Sequence, residues 1–192
     1  MNKFLEYCYN GKVNDLISML RAGIDPTMEN HIAIQYAVES NNSEVVKILL
    51  NDGRVDPTIN NYRPINAAIA SGNLAITKLL LNDKRIDPTY DNNSIFARAS
   101  YYGQIEIVKL LFSDSRIDPS ANNNEAIGWA YKNNHNNLYG LLFSDERVLS
   151  AIDSMDNDFN MIKLEKYLFE NNKTINQLSE EEKTYIKLKW DI

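Results

Sequence analysis

The stretch DPTINNYRPINAAIASGNLAITKLLLNDKRI, residues 56–86, decides the fold, because related copies stand before and after it at 25–55, 87–117 and 118–148. The copies share an opening Asp-Pro, a central alanine, and a glycine or asparagine just beyond it. The prolines recur every 31 residues, at Pro26, Pro57, Pro88 and Pro119. The alanines are Ala37, Ala68, Ala99 and Ala130, and the glycine or asparagine positions are Asn41, Gly72, Gly103 and Asn134. A fixed register of this kind predicts an array of structural repeats.

Each block predicts a turn, a short helix, a tight turn and a longer helix. The Asp-Pro opens a polar stretch of turn formers, and its proline prevents the preceding helix from continuing. The apolar spacing of Ile65, Ala68 and Ile69 indicates the first helix, and that of Ile105 and Val108 the start of the second. The glycine or asparagine between them tolerates a left-handed C-cap. Since so short a helix pair buries its apolar faces only against neighbours, we predict an all-α solenoid.

The two ends of the chain depart from the period. Residues 1–24 predict an N-terminal cap that begins directly with a helix, so the array covers 1–148. Residues 149–192 predict a helical C-terminal cap, with a small separate motif as the alternative. We expect its helices within 158–170 and 179–190, the second from the capping-box pattern of Ser179 and Glu182.

Composition excludes several classes of protein. The net charge of -6 argues against binding nucleic acid through its phosphates. One cysteine, Cys8, and two histidines are too few for a closed zinc site, so Cys8 is predicted to lie in the core. No apolar run is long enough for a membrane span, and a start with Glu6 and no apolar core predicts no signal peptide. We therefore expect a cytoplasmic protein without a membrane partner.

Motifs for catalysis or cofactors are also missing. The seven glycines form no phosphate-binding loop, and no GxSxG sequence occurs. Asp153, Asp156 and Asp158 weakly resemble a calcium loop but lack its central glycine and closing glutamate, so we favour a solvated helix start. His31 and His135 lie in the first and last full blocks, too far apart to share a site. The sequence thus predicts neither an enzyme nor a cofactor.

The blocks resemble the ankyrin repeat. The family's Thr-Pro-Leu-His-x-Ala motif is best matched by Arg63–Ala68, and its second-helix motif by Gly103–Leu111. A period of 31 residues, against about 33 in the family, implies a shortened finger with a stubby β-hairpin. The motif histidine, which in the family links neighbouring loops, is replaced in every block: the residues are Gln35, Asn66, Ala97 and Gly128.

A second resemblance is to ankyrin proteins of giant DNA viruses that infect amoebae, of the mimivirus type. It rests on the Asp-Pro-Ser-Ala-Asn-Asn-Asn stretch at 118–124, on the Ser-Asp-x-Arg-Ile-Asp-Pro ending of the third block, and on heavy use of Asn, Ile, Lys and Tyr. It implies a viral protein that acts in the host cytoplasm.

The ankyrin resemblance implies a non-enzymatic module that binds a protein partner on a concave face. Tyrosine, tryptophan and arginine most often anchor such interfaces. On the family's variable positions we expect the partner at Tyr36, Tyr62, Tyr90, Arg98, Tyr101, Tyr102, Trp129 and Lys132. The alternative for these residues is packing between repeats, with the tyrosines reflecting codon usage.

Three points about function stay open at this stage. We expect a monomer that binds a host or cellular protein of unspecified identity. One alternative is an adaptor that couples a bound target to the ubiquitin machinery through 149–192. The other is a structural or self-assembling solenoid.

Overall fold

The computed structural model describes residues 2–155 and 160–190, and in that part of the chain all regular structure is helical. The all-α class predicted from the repeats is confirmed. The α-helices are α1 (Lys3–Asn10), α2 (Val13–Arg21), α3 (Met28–Glu39), α4 (Ser43–Asp52), α5 (Ile59–Ala70), α6 (Leu74–Leu81), α7 (Tyr90–Tyr101), α8 (Ile105–Phe112), α9 (Ala121–Lys132), α10 (Asn136–Phe143), α11 (Glu146–Ala151), α12 (Asn160–Glu170) and α13 (Glu180–Trp190). Single 3-10 turns lie at Ile152–Ser154 and Ile175–Gln177.

The chain divides into two compact units, residues 1–117 and 118–192. In the first unit the helices form two rows. One row packs α1 on α3, α3 on α5 and α5 on α7, and the other packs α2 on α4, α4 on α6 and α6 on α8. Each helix therefore buries one face against its own pair and another against the next repeat, as the short apolar stripes require.

Small side chains let the first row of helices approach closely. Cys8, Ala37, Ala68 and Ala99 are completely buried in this row. Larger apolar residues fill the space beside them, with Phe4 and Phe96 fully enclosed. The predicted core position of Cys8 is confirmed, and the recurring alanine is explained by this close packing.

The tight turns between paired helices have the predicted left-handed C-caps. Asn41, Gly72, Gly103 and Asn134 all have φ between 57° and 69°. At the first of these turns, the Asn73 side-chain amide donates to Asn41 Oδ1 of the preceding repeat. One repeat earlier, Asn42 Nδ2 donates to the backbone carbonyl of Tyr9 at 2.6 Å. The turns thus form a row of contacts from repeat to repeat.

The short β-hairpin predicted for each finger is wrong. In its place, three successive residues of each block adopt left-handed helical angles, with φ between 50° and 64°. These triplets are 29–31, 60–62, 91–93 and 122–124, and asparagine is their commonest residue. Each triplet is a kink near the start of α3, α5, α7 or α9, and the regular right-handed helix begins after it. Asparagine tolerates the left-handed region better than most residues, and a left-handed turn needs fewer residues than a hairpin. The 31-residue period leaves room for the turn only.

The third residue of the left-handed turn links neighbouring repeats. His31 Nδ1 accepts a hydrogen bond from the Asp56 backbone N–H at 3.0 Å, and Tyr62 Oη accepts from the Asp87 N–H at 3.4 Å. In the second unit, Asn124 Nδ2 donates to the Val148 carbonyl at 3.0 Å. The loop-to-loop bonds that the family's histidine would provide are therefore made here from a different position of the repeat.

Two polar clusters repeat at the block boundaries. Each opening aspartate accepts from the N–H and hydroxyl of the Thr or Ser two residues later, at 2.7–2.9 Å. Each closing Asp-x-Arg forms a two-pronged ion pair, and Arg85 also donates to the Val55 carbonyl of the preceding repeat at 2.7 Å. The hydrogen bonds that the Arg85 side chain donates to Asp83 hold the pKa of Asp83 below its ordinary value.

The second unit adds further helices to the fourth block. α9 packs on α10 and α11, the following 3-10 turn packs on α12, and α12 packs on α13. Residue 150, where the next proline of the period would fall, is serine, so α11 continues where earlier blocks turn. The predicted capping box of α13 is present: Ser179 N donates to Glu182 Oε2 at 2.9 Å, and Glu182 N donates to Ser179 Oγ at 3.2 Å.

Candidate interaction surface

The strongest candidate surface in the first unit is the exposed side of α7. Arg98 and Tyr101 of α7, and Tyr102 that caps the helix, are spaced as i, i+3 and i+4, which share one face. All three side chains are exposed, with Tyr101 at 42% and Tyr102 at 41%. The two rings meet edge to face with centroids 5.0 Å apart. We call these residues the α7 face.

The repeats themselves show that the α7 face is not needed for stacking. In the other blocks, the position of Arg98 holds Tyr36, Ala67 and Trp129. The position of Tyr101 holds a glutamate, an alanine and a lysine in those blocks. Residues that serve the stack recur in every block, as the buried alanines do. Exposed large residues that do not recur are better explained by contact with something outside the stack.

Two further predicted residues form a stacked pair at the fingers. Tyr62 and Tyr90 lie ring on ring, with centroids 4.2 Å apart and planes inclined by 9°. Tyr62 is half-buried, and its hydroxyl accepts the inter-repeat bond from Asp87, whereas Tyr90 is 40% exposed. Tyr62 therefore has a structural contact of its own, and Tyr90 is the member of the pair that offers a free ring face.

The predicted residue Tyr36 is half-buried and packs beside a tyrosine that the sequence prediction omitted. Tyr9 of α1 meets Tyr36 edge to face at 6.4 Å and is 48% exposed. Tyr9 and Tyr102 occupy the same register, three periods apart. Extending the period into the N-terminal cap would have identified Tyr9 from the sequence.

The last two predicted residues belong to the second unit. Trp129 is half-buried and its indole N–H donates to Glu125 Oε1 at 3.0 Å. The Lys132 ammonium lies 5.9 Å from the centre of the Trp129 ring, within the range of a cation–π contact. Of the eight predicted residues, six therefore lie in the first unit and these two in the second.

A polar network that the sequence did not predict lies on α3 and α5. Glu39 Oε1 accepts from Gln35 Nε2 at 3.0 Å and from Arg63 Nη2 at 3.1 Å. Asn60 Nδ2 donates to Gln35 Oε1 at 3.4 Å. Beside it is a shallow depression of about 560 Å³ lined by Ile32, Gln35, Asn60, Asn61, Arg63, Asn66 and Arg98. We call it the Arg98 depression.

The one cysteine of the chain is buried. Burial raises the pKa of the Cys8 thiol to about 12, so the thiolate that a nucleophile requires is scarce at neutral pH. Among residues 2–155 and 160–190, no three His, Cys, Asp or Glu side chains converge on a possible metal position. Asp156 and Asp158 of the weak calcium-loop pattern lie outside the described residues. Within the same part of the chain, no helix has the length and apolar character needed to cross a membrane.

Part of this chain is similar to a known family of repeats. The family described as "Ankyrin repeats (3 copies)" matches residues 4–92, which comprise α1 to α6 and the start of α7. No curated protein matches the sequence. Ankyrin repeats are in general protein–protein interaction modules and are typically non-enzymatic.

Proposed function

We propose that this chain is a non-enzymatic binding module that presents the α7 face of its third repeat to a protein partner. The observation that carries the proposal is the exposure of Arg98, Tyr101 and Tyr102 on one face of a helix whose opposite side is fixed by the stack. A rigid helix that already holds its side chains in place loses little entropy on binding. By the viral resemblance of its blocks, we propose that the chain is viral and its partner a host cytoplasmic protein, bound by a monomer.

The test is affinity capture from amoebal lysate with the wild-type chain and a Tyr101→Ala/Tyr102→Ala variant. Loss of two exposed rings removes aromatic contact area without opening a cavity, so circular dichroism should be unchanged. We expect a partner recovered by the wild type to bind the variant at least about tenfold more weakly, as for interface anchors. Partners bound with equal strength by both proteins would contradict the assignment of this face.

A Phe169→Ala variant is the matched control, because its ring is exposed to 64% but belongs to the second unit. It should retain the partner of the α7 face. Replacement of Trp129 by alanine extends the test to the residues predicted in the second unit.

A second candidate function is that of an adaptor that also binds through the C-terminal region. The observation that favours it is the exposure of Phe169 at 64% and Ile175 at 55%, both beyond the fourth block. A ubiquitin-ligase subunit recovered by the wild type and lost from Phe169→Ala would support it. Capture unchanged by both Phe169→Ala and Ile175→Ala would count against it.

A further inference from the structure

We propose that the Arg98 depression receives an aspartate or glutamate side chain from an acidic segment of the partner. This inference rests on the proposed binding function and adds the chemistry of the group that is bound. The depression is shared by three neighbouring helices of the first row: α3 contributes Ile32 and Gln35, α5 contributes Asn60, Asn61, Arg63 and Asn66, and α7 contributes Arg98.

Charge is the first argument. The chain carries -6 overall, yet the lining of this depression contains two arginines and no carboxylate. Arg63 is engaged by Glu39 at 3.1 Å, which leaves the guanidinium of Arg98 as the unneutralised charge of the lining. An acidic protein that keeps one concave polar spot positive favours an anionic ligand there.

The state of Arg98 is the second argument. Five arginines of the described chain form ion pairs, namely Arg54, Arg63, Arg85, Arg116 and Arg147. Arg98 is exposed and has no hydrogen bond or ion pair with any described residue. Its position holds Tyr, Ala and Trp in the other blocks, so stacking does not require a cation. A guanidinium left open in this way can take both oxygens of a carboxylate.

The amides around Arg98 form the third argument. Asn60 makes only a long bond to Gln35, at 3.4 Å, and Asn66 Nδ2 donates to the Asn61 carbonyl at 3.2 Å while its Oδ1 is enclosed without a partner. The Asn60 amide, with two N–H groups and only one long bond, can therefore turn an N–H towards an anion, whereas the Asn66 oxygen is an acceptor and does not attract one.

A carboxylate is favoured over a phosphate because the lining has one arginine that forms no ion pair with a described residue. One unengaged guanidinium balances one carboxylate, whereas a phosphate dianion would need a second cation. Tyr101 and Tyr102 lie one helical turn further along the same face and can cover neighbouring residues of a peptide. A free inorganic anion would leave these rings uncovered.

The experiment follows the side-chain Nε–Hε signals of arginine and the amide signals of asparagine by NMR during titration of the full chain. The probe is a peptide of six glutamates at low salt, and the comparison probes are a peptide of six glutamines and inorganic phosphate. We expect the glutamate peptide alone to move the signals of Arg98 and Asn60. We also expect Arg98→Gln to weaken its binding about tenfold.

Arg21→Gln is the matched control, since Arg21 is the other exposed arginine of the first unit without a described partner. It removes the same charge and should leave the affinity for the glutamate peptide unchanged. Absence of shifts at Arg98, equal shifts with phosphate or glutamine peptide, or equal weakening by Arg21→Gln would each overturn the proposal.

The proposed binding function is judged separately, by partner capture. A partner that depends on Tyr101 and Tyr102 but binds Arg98→Gln normally would leave the binding function standing and refute the carboxylate site. If the chain binds the glutamate peptide through Arg98 but captures no partner, the carboxylate site stands and the proposed binding function is refuted.

Discussion

Replacing Gly72 by alanine is expected to lower the free energy of unfolding by about 1.5–3.5 kcal/mol, from two separate costs. Gly72 has φ of 69°, a left-handed angle that costs a residue with a Cβ about 1–2 kcal/mol. The added Cβ would also lie 2.5 Å from Gln104 Oε1 and 3.0 Å from Gln104 Cδ. Gln104 must then leave its rotamer, which costs about 0.5–1.5 kcal/mol.

Gly53→Ala separates these two costs. Gly53 has φ of 78°, and an added Cβ there would meet nothing within 4 Å. It should therefore pay only the backbone cost, about 1–2 kcal/mol. The difference between the two variants measures the contact with Gln104 of the next repeat.

The measurement is urea unfolding followed by far-ultraviolet circular dichroism, with midpoints compared at constant m-value. Gly72→Ala should unfold at lower urea than Gly53→Ala. Truncation by Gln104→Ala in the Gly72→Ala background should cost less than the same truncation in the wild type, because it relieves the clash. Equal midpoints for Gly72→Ala and Gly53→Ala would refute the proposed contact between neighbouring turns.

Three further outcomes can be measured in the same way. Gly140→Ala should raise the free energy of unfolding by about 0.5–1 kcal/mol, because Gly140 lies inside α10 with open space for a Cβ; an unchanged or lower midpoint would contradict this. His31→Ala should lower it by about 1–2 kcal/mol, because the half-buried Asp56 N–H loses its acceptor; wild-type stability would show that the bond contributes nothing. The N–H of Thr89 holds the pKa of Asp87 below its ordinary value of 3.8, so the folded state binds its proton less readily than the unfolded chain. Stability is then lost as pH falls below about 4, and Asp87→Asn should make that loss shallower in an acid titration.

The period allowed the helices to be predicted but not the fingers between them. Alanine spacing indicates a close helix contact because few other side chains fit, and the Asp-Pro marks the end of a helix because proline lacks an N–H. No comparable rule relates the residue types of the finger to a single backbone conformation. Asn60 and Asn61 fit a hairpin turn as well as a left-handed turn, and only packing against the next repeat selects between them. Likewise, α11 forms because Ser150 stands where the period would place a proline. The predicted array ended at residue 148, so this helix was not predicted from the sequence.

For the candidate surface, residue type was a better guide to location than to role. Tyr101 and Tyr62 were predicted alike, from aromatic character at variable positions of the family. The structure places Tyr101 on an exposed helix face, while the Tyr62 hydroxyl accepts a backbone bond from the next repeat. This bond depends on the left-handed conformation of the finger, so it could not be predicted from the sequence. Tyr9 was missed because the N-terminal cap was not compared with the full blocks.

Because the chain contains four copies of one repeat, residues needed for stacking can be distinguished from residues available for binding by comparing the copies. The Asp-x-Arg fork occurs at the end of every block and forms an ion pair in each, so it belongs to the repeat. Arg98 has the same side chain, occurs in one block and has no described partner. Because stacking energies act between nearest neighbours, a requirement of the stack would apply to each internal repeat equally. The cation that breaks the pattern on an exposed helix face therefore gives the third repeat a property that stacking does not explain.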